Sequence, residues 1–171
     1  MSTTPDRISI RPLGPDDDVE ALTGLLHRSY AALGAMGLNY TAVDQTSQVT
    51  RRRIAGGVCL LAVSADGRVV GTALFKVPGL ERGSPWLQRP EVAHVGQFAV
   101  EPALRKRGIG GRLMDVVEDM ARAAGARELA LDTAEPALHL IDLYSRRGYR
   151  FIEYAHFRGK RYRSVIMSKT L

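Results

Sequence analysis

The stretch that most constrains this chain runs from Phe98 to Gly111, where an apolar strand pattern leads through Pro102 into a basic, glycine-rich segment. A helix pattern begins directly after the glycines. The first N–H groups of a helix have no partner within the helix, and the helix dipole favours negative charge there. Glycines also let the backbone approach an anion closely. The sequence therefore predicts a phosphate-binding site between this strand and this helix.

Strand and helix patterns on both sides of this stretch predict a single α/β domain, residues 1–171, with a mixed β-sheet. Strand patterns cover residues 8–13, 58–64, 68–77, 91–100, 128–132, 149–157 and 162–169. Helix patterns cover residues 19–33, 46–55, 109–124 and 136–147. The run at 91–100 is nearly continuous in apolar residues, which is typical of a central strand covered on both faces. Glu118 and Arg122 are four residues apart, so we expect them to pair on the outer face of the third helix.

Charge and cysteine content exclude several classes of protein. The 171 residues carry a formal net charge of +6, which favours an anionic partner such as an acidic cofactor or a nucleic acid. The single Cys59 lies in an apolar run, so we expect a buried thiol, no disulfide framework and no metal site. The polar segment Met1 to Arg7 lacks a signal-peptide pattern, and no stretch is long and apolar enough to cross a membrane. We therefore expect a cytoplasmic protein.

The glycine segment does not fit the common nucleotide-binding fingerprints. A dinucleotide motif would need glycine in place of Leu113, and a nucleoside-triphosphate loop would need lysine and then serine or threonine after its last glycine. The pattern Arg105-x-x-Gly108-x-Gly110, between a strand and a helix, instead resembles the Gln/Arg-x-x-Gly-x-Gly/Ala signature of the GNAT N-acetyltransferase superfamily. The preceding Phe98-Ala-Val-x-Pro segment is also similar to that family.

The resemblance implies a GNAT-like fold, which is a central mixed sheet flanked by helices, with its fourth and fifth strands partly splayed apart. It also implies that the cofactor is acetyl-CoA and that it binds to the central part of the domain, at about residues 92–149. N–H groups of the glycine loop would hold the pyrophosphate, and backbone groups of the fourth strand would pair with the pantetheine arm. The residues expected at the cofactor are Phe98, Ala99, Val100, Arg105, Lys106, Arg107, Gly108, Ile109, Gly110, Gly111, Arg112 and Tyr144.

A second motif, Leu143-Tyr144-x-x-x-Gly148-Tyr149, is similar to the family's Leu-Tyr-x-x-x-Gly-Phe/Tyr segment. This likeness implies that the Tyr144 hydroxyl lies near the cofactor sulfur. A phenol, with a pKa of about 10, can donate a proton or a hydrogen bond to a leaving thiolate. The alternative is a half-buried aromatic residue that only packs on its helix. The sequence also departs from the family, because Ala137 stands where an asparagine is common.

The attacking amine must lose a proton, which calls for a base or a water molecule. His94 is the best candidate, because two-residue alternation puts it on the same strand face as Gly96, Phe98 and Val100. In the histone-acetylating branch of the GNAT superfamily, the base is a glutamate at the position that aligns with His94. A structural histidine is an equal alternative. The other carboxylate or amide candidates are Glu91, Gln97, Asp132 and Glu153.

Two basic segments outside the glycine loop have simpler explanations. The run Arg51-Arg52-Arg53 is expected on the solvated face of a helix, although it could meet an acidic partner. The segment Arg158 to Tyr162 is expected to be a hairpin turn. In a GNAT-like fold this turn would lie near the substrate end, where it could touch an acidic acceptor.

The resemblance implies an acetyl-CoA-dependent N-acetyltransferase that acts on a small-molecule or peptide amine by direct attack in a ternary complex. Backbone N–H groups of the fourth strand would polarise the thioester carbonyl. One rival is a sensor that binds acyl-CoA without turnover, against which Tyr144 argues. The other is a basic nucleic-acid binder, against which the focused glycine loop argues. A homodimer is a reasonable expectation.

Overall fold

The structure is a computed structural model and describes residues 7–171. The predicted polar segment at the N-terminus therefore lies outside the described residues, except for Arg7. The strands are β1 (Ser9–Pro12), β2 (Val58–Val63), β3 (Val69–Lys76), β4 (Val92–Val100), β5 (Glu128–Ala134), β6 (Arg150–Ala155) and β7 (Ser164–Thr170). The longer helices are α1 (Val19–Ala35), α2 (Ser47–Ile54), α3 (Ile109–Ala123) and α4 (Leu138–Arg146). Every predicted strand and helix in this region is present, and the fifth strand extends two residues further than expected.

The strands form one sheet in the order β1-β2-β3-β4-β5-β7-β6. Its strand pairs are antiparallel except β4 with β5, which are parallel. This arrangement confirms the predicted mixed sheet with β4 at its centre. No helix within residues 7–171 is long and apolar enough to span a membrane.

Helices cover both faces of the sheet, as the apolar run in β4 predicts. The apolar stripe of α3, including Leu113 and Val117, packs with alternate residues of β2, β3 and β4. On the opposite face, Leu22, Leu25 and Leu26 of α1 pack against the remaining alternate residues of β2 and β3. The glycine loop therefore enters α3 on one face of the sheet, while α1 closes the other face.

The expected pair between Glu118 and Arg122 is wrong. Glu118 is only 4% exposed, and its carboxylate accepts hydrogen bonds from Arg147 at 2.9 Å and Lys169 at 3.1 Å. Arg122 instead contacts Asp119. Helical spacing identified a possible local partner, but α4 and β7 bring cations that the spacing could not reveal. Burial raises the pKa of Glu118, but these two cations outweigh it and leave that pKa below its usual value.

The central strands separate along their length, which confirms the expected splay. Backbone pairing of β4 with β5 covers only Val92–His94 against Glu128–Ala130. Beyond His94, the two strands diverge towards the end of β4 that leads into the glycine loop. The divergence opens the sheet where the predicted site residues converge.

Candidate active site

The glycine loop joins β4 to α3 through a short 3-10 turn at Pro102–Leu104. Lys106 and Gly108 both have positive φ, 64° and 83°, so the backbone adopts the left-handed conformation twice before the helix. Gly108 is the N-cap residue of α3, and no side chain caps the helix there. The amides of the first turn are therefore left for an external acceptor. A Cβ placed on Gly108 would meet no described atom within 4 Å, which leaves room beside these amides.

The basic side chains of this loop are not equivalent. The Arg105 guanidinium turns back to α1, where it donates to the Ser29 carbonyl oxygen at 2.8 Å. The Arg112 guanidinium donates to the Ile8 carbonyl oxygen at 2.9 Å. A cleft of about 570 Å³ opens beside the helix start, and its lining includes Arg68, Arg107 and Arg112. The cationic face beside the free amides is therefore built from the turn between β2 and β3 and from the first turn of α3 as well as from the loop, and Asp66, which pairs with Arg68 at 2.9 Å, lies in the same cleft.

Phe98 lies close to both the glycine loop and Tyr144. A Cβ on Gly110 would lie 3.0 Å from Phe98 Cζ, and the rings of Phe98 and Tyr144 have centroids 6.5 Å apart. The Tyr30 hydroxyl donates to the Phe98 carbonyl oxygen at 3.0 Å. One backbone acceptor of β4 at the splay thus already has a partner, although a carbonyl oxygen can accept a second hydrogen bond.

Tyr144 is half-buried and packs at the edge of the α3-side core. Its hydroxyl makes no hydrogen bond to any residue from 7 to 171. Burial raises the pKa of Tyr144 well above its usual value, and the charge of Asp132 adds to the effect. The phenol therefore stays protonated and can donate a proton or a hydrogen bond.

A bulge in β4 overturns one expectation about His94. Leu74 pairs with Gly96 and Thr72 pairs with Ala99, so β4 has one more residue than β3 between these pairs. Gln97 in this bulge has φ 49°. The extra residue reverses the alternation, because a one-residue shift moves every later side chain to the other face.

His94 consequently does not share a face with Phe98 and Val100. Those two residues pack on the α3 side, together with Val95, which precedes the bulge. His94 lies on the opposite, α1-side face with Gly96, whose Cβ would be 3.1 Å from His94 Cε1. The prediction was therefore right for Gly96 and wrong for the residues beyond Gln97.

His94 lies between two carboxylates. Its Nε2 is 3.1 Å from Asp132 Oδ1, and its Nδ1 is 3.5 Å from Glu81 Oε2. The His94 side chain is 8% exposed, whereas that of Asp132 is 36% exposed. Burial raises the pKa of Asp132, but the hydrogen bond and charge of His94 outweigh it and leave that pKa below its usual value. The ionised Asp132 carboxylate is therefore the part of this pair that is open to the cleft.

A cleft of about 280 Å³ lies over this pair, at the point where β4 and β5 separate. Its lining comes from β3, β4, β5, the segment after α1, α2, the loop after β3 and the turn between β6 and β7. The charged residues among its lining are Arg53, Lys76, Glu81, His94, Asp132 and Lys160. Asp132 was only a secondary candidate from sequence, and Glu81 was missed because an irregular loop carries it.

The other candidates for the base are further from this cleft or engaged elsewhere. Gln97 is buried, and its side-chain oxygen accepts from Gln45 at 3.1 Å. Glu153 accepts from the backbone N–H of Trp86 at 2.9 Å, and Glu91 pairs with Arg89 at 2.6 Å. Residues 7–171 contain no group of three or more histidine, cysteine or acidic side chains that could hold a metal ion.

Comparison with known proteins identifies the family of this chain. Residues 29–149 match the acetyltransferase (GNAT) family, so the chain belongs to that family. Its members transfer an acetyl group from acetyl-CoA. The chain is 27% identical over 139 residues to S-(2-succino)cysteine N-acetyltransferase of Bacillus subtilis strain 168, covering 80% of this chain and 81% of that protein.

Solved structures have the same fold. A protein of Pyrococcus horikoshii OT3 has a TM-score of 0.75 and 18% identity, over 96% of this chain and 99% of that one. A GNAT family acetyltransferase from Elizabethkingia anophelis, solved with acetyl-CoA bound, has a TM-score of 0.67 and 18% identity, over 96% and 98%. These likenesses confirm the GNAT-like fold.

Proposed function

We propose that this chain is an N-acetyltransferase that transfers the acetyl group of acetyl-CoA directly to a primary amine. The observation that carries the proposal is the His94–Asp132 pair, which lies in a cleft where β4 and β5 separate. The relative from Bacillus subtilis is named for a substituted cysteine, which favours a small-molecule acceptor over a protein amine. The coenzyme supplies the activated acetyl group as a thioester.

The residues at the helix start fit the pyrophosphate of acetyl-CoA. The uncapped amides from Ile109 to Gly111 and the positive φ of Gly108 form an anion-binding turn. The Arg112 guanidinium in the adjoining cleft, which donates to the Ile8 carbonyl oxygen, would provide positive charge for further phosphate, whereas Arg68 is paired with Asp66. The core from residue 92 to residue 149 would then hold the cofactor, with Phe98, Ala99 and Val100 along its pantetheine arm.

Asp132 and His94 would act on the amine together. Asp132 is ionised and open to the cleft, so it can accept a hydrogen bond from the incoming amino group. His94 or a water molecule then removes the proton, and the Asp132 carboxylate stabilises the resulting positive charge. Glu81, held by Lys76 at 2.6 Å, adds negative charge on the other side of the ring.

Tyr144 would act at the leaving sulfur. Its hydroxyl has no other hydrogen-bond partner within residues 7–171, and it remains protonated. Tyr144 packs with Phe98 on the α3 side, whereas His94 lies on the α1 side. The splay connects the two faces, so the proton acceptor and the proton donor would approach the reacting carbonyl from opposite sides.

The test is release of the coenzyme thiol from acetyl-CoA with a panel of primary amines. Tyr144→Phe should keep the acetyl-CoA dissociation constant and lower kcat about a hundredfold, the usual scale for a positioned acid. His94→Gln should lower kcat similarly. Unchanged turnover in either variant would exclude that residue from the mechanism. Binding of acetyl-CoA without thiol release for any amine would instead support a sensor.

A further inference from the structure

Two cations in the 280 Å³ cleft make no direct ion pair among the described residues, although both are close enough to Asp132 for their charges to lower its pKa. Arg53 projects from α2 and Lys160 from the turn between β6 and β7, and both line the cleft with His94 and Asp132. No carboxylate within residues 7–171 forms an ion pair with either of them. Lys76, in the same cleft, differs because Glu81 neutralises it at 2.6 Å. The positive charge of Arg53 and Lys160 is therefore available to a ligand.

Neutral groups hold both cations in place. Arg53 Nη1 donates to Gln45 Oε1 at 2.7 Å, and Gln45 is itself buried. Lys160 Nζ donates to the Asn39 carbonyl oxygen at 2.8 Å and to Thr41 Oγ1 at 2.9 Å. A guanidinium has five N–H donors and an ammonium has three, so each side chain keeps donors for a ligand. These contacts fix the direction of the two groups without cancelling their charge.

The two cations also repel each other. Burial lowers the pKa of Lys160 below its usual value, and the positive charge of Arg53 lowers it further. Two like charges held in one partly desolvated cleft are stabilised by an anion that both can reach. The same cleft also has negative charge at Asp132, which contacts His94, whereas the charge of Glu81 is balanced by Lys76.

We propose that Arg53 and Lys160 bind a carboxylate of the acceptor, which is therefore an amine with a carboxylate a few bonds from its nitrogen, such as a free amino acid. This inference rests on the function proposed above. The amino group meets Asp132 and His94 while the carboxylate meets the two cations. A polyamine, or a lysine side chain in a basic peptide, would place positive charge near Arg53 and Lys160 and be rejected.

The experiment compares free amino acids with their α-carboxamides in the thiol-release assay. The wild type should prefer the acids by about ten- to hundredfold in kcat/KM, the value of one or two charge-assisted hydrogen bonds. Arg53→Gln and Lys160→Gln should remove most of this preference by raising KM for the acid, with little change for the amide. Arg52→Gln and Arg158→Gln remove an exposed charge from the same two segments and should keep the preference.

The outcomes separate this inference from the proposed function. Turnover of amides or polyamines as fast as acids, with acetyl-CoA bound, overturns the inference alone. Absence of both acetyl-CoA binding and thiol release overturns both. If acetyl-CoA binds but no panel amine reacts, calorimetry with N-acetylglycine and N-acetylglycinamide decides. Binding of the acid alone, weakened by Lys160→Gln and unaffected by Arg158→Gln, supports the inference, and equal or undetectable binding of the two overturns it.

Discussion

Two glycines at opposite ends of α3 allow the effect of a substitution on anion binding to be separated from its effect on stability. Gly108 precedes the helix with φ 83°, and Gly125 follows it with φ 79°. A Cβ at either position would meet no described atom within 4 Å. Alanine should therefore cost both variants the same left-handed backbone penalty, about 1–2 kcal/mol. For a chain of this size that penalty lowers the melting temperature by about 2–8 °C.

Only one of the two substitutions should affect the cofactor. The methyl group of Gly108→Ala projects beside the free amides and should separate the pyrophosphate from at least one N–H donor. Loss of one charge-assisted hydrogen bond costs about 1.5–3 kcal/mol, which weakens acetyl-CoA binding about ten- to hundredfold. Calorimetric titration and thermal unfolding of both variants give the two quantities. Equal acetyl-CoA affinity for Gly108→Ala and Gly125→Ala would refute the assignment of this loop to the pyrophosphate.

Two further predictions concern stability and mechanism. Glu118→Gln should lower the free energy of unfolding by about 2–3 kcal/mol in urea titration, because it leaves Arg147 and Lys169 with a neutral partner. Since folding lowers the pKa of Glu118, its contribution is present above the unfolded value of about 4.3 and is lost as pH falls through the folded value. The loss of unfolding free energy in Glu118→Gln should therefore become smaller as the pH falls. A loss that stays constant with pH would contradict this reasoning. Cys59→Ala should keep kcat, because burial raises the pKa of the thiol and no acyl-enzyme is expected; a large loss would point to a covalent route.

The fold was predictable because its signals are local. Apolar periodicity and turn residues located the helices and strands, and the order of strand, basic loop and helix indicated the family. The splay between β4 and β5 followed from that resemblance. Hydrophobic spacing alone does not reveal it, because the paired and separated parts of β4 are both apolar.

The residues around the cleft were harder to predict because they come from distant parts of the chain. Arg53 and Lys160 meet through α2 and a hairpin turn more than a hundred positions later. The sequence predicted a solvated helix face for the first and a turn for the second, each with an acidic partner as a further possibility, but it did not bring the two together. The side of the sheet occupied by His94 was assigned wrongly with respect to Phe98, because strict alternation assumes an unbroken strand. Gln97, a residue without glycine's freedom, gave no warning of a bulge.

The bulge at Gln97 also determines how this strand tolerates changes in length. Deleting Gln97 would remove the bulge and leave the later side chains on their present faces. Straightening the strand with Gln97 retained would instead turn Phe98 and Val100 towards α1 and Ala99 towards α3. The side chains on the two faces of this part of β4 would then be interchanged, although the composition of the strand would hardly change. Deletions in the surface loop at 78–90 would not change which face of the sheet the side chains of β4 occupy. We therefore expect relatives that lack the bulge to be one residue shorter between residues 95 and 100.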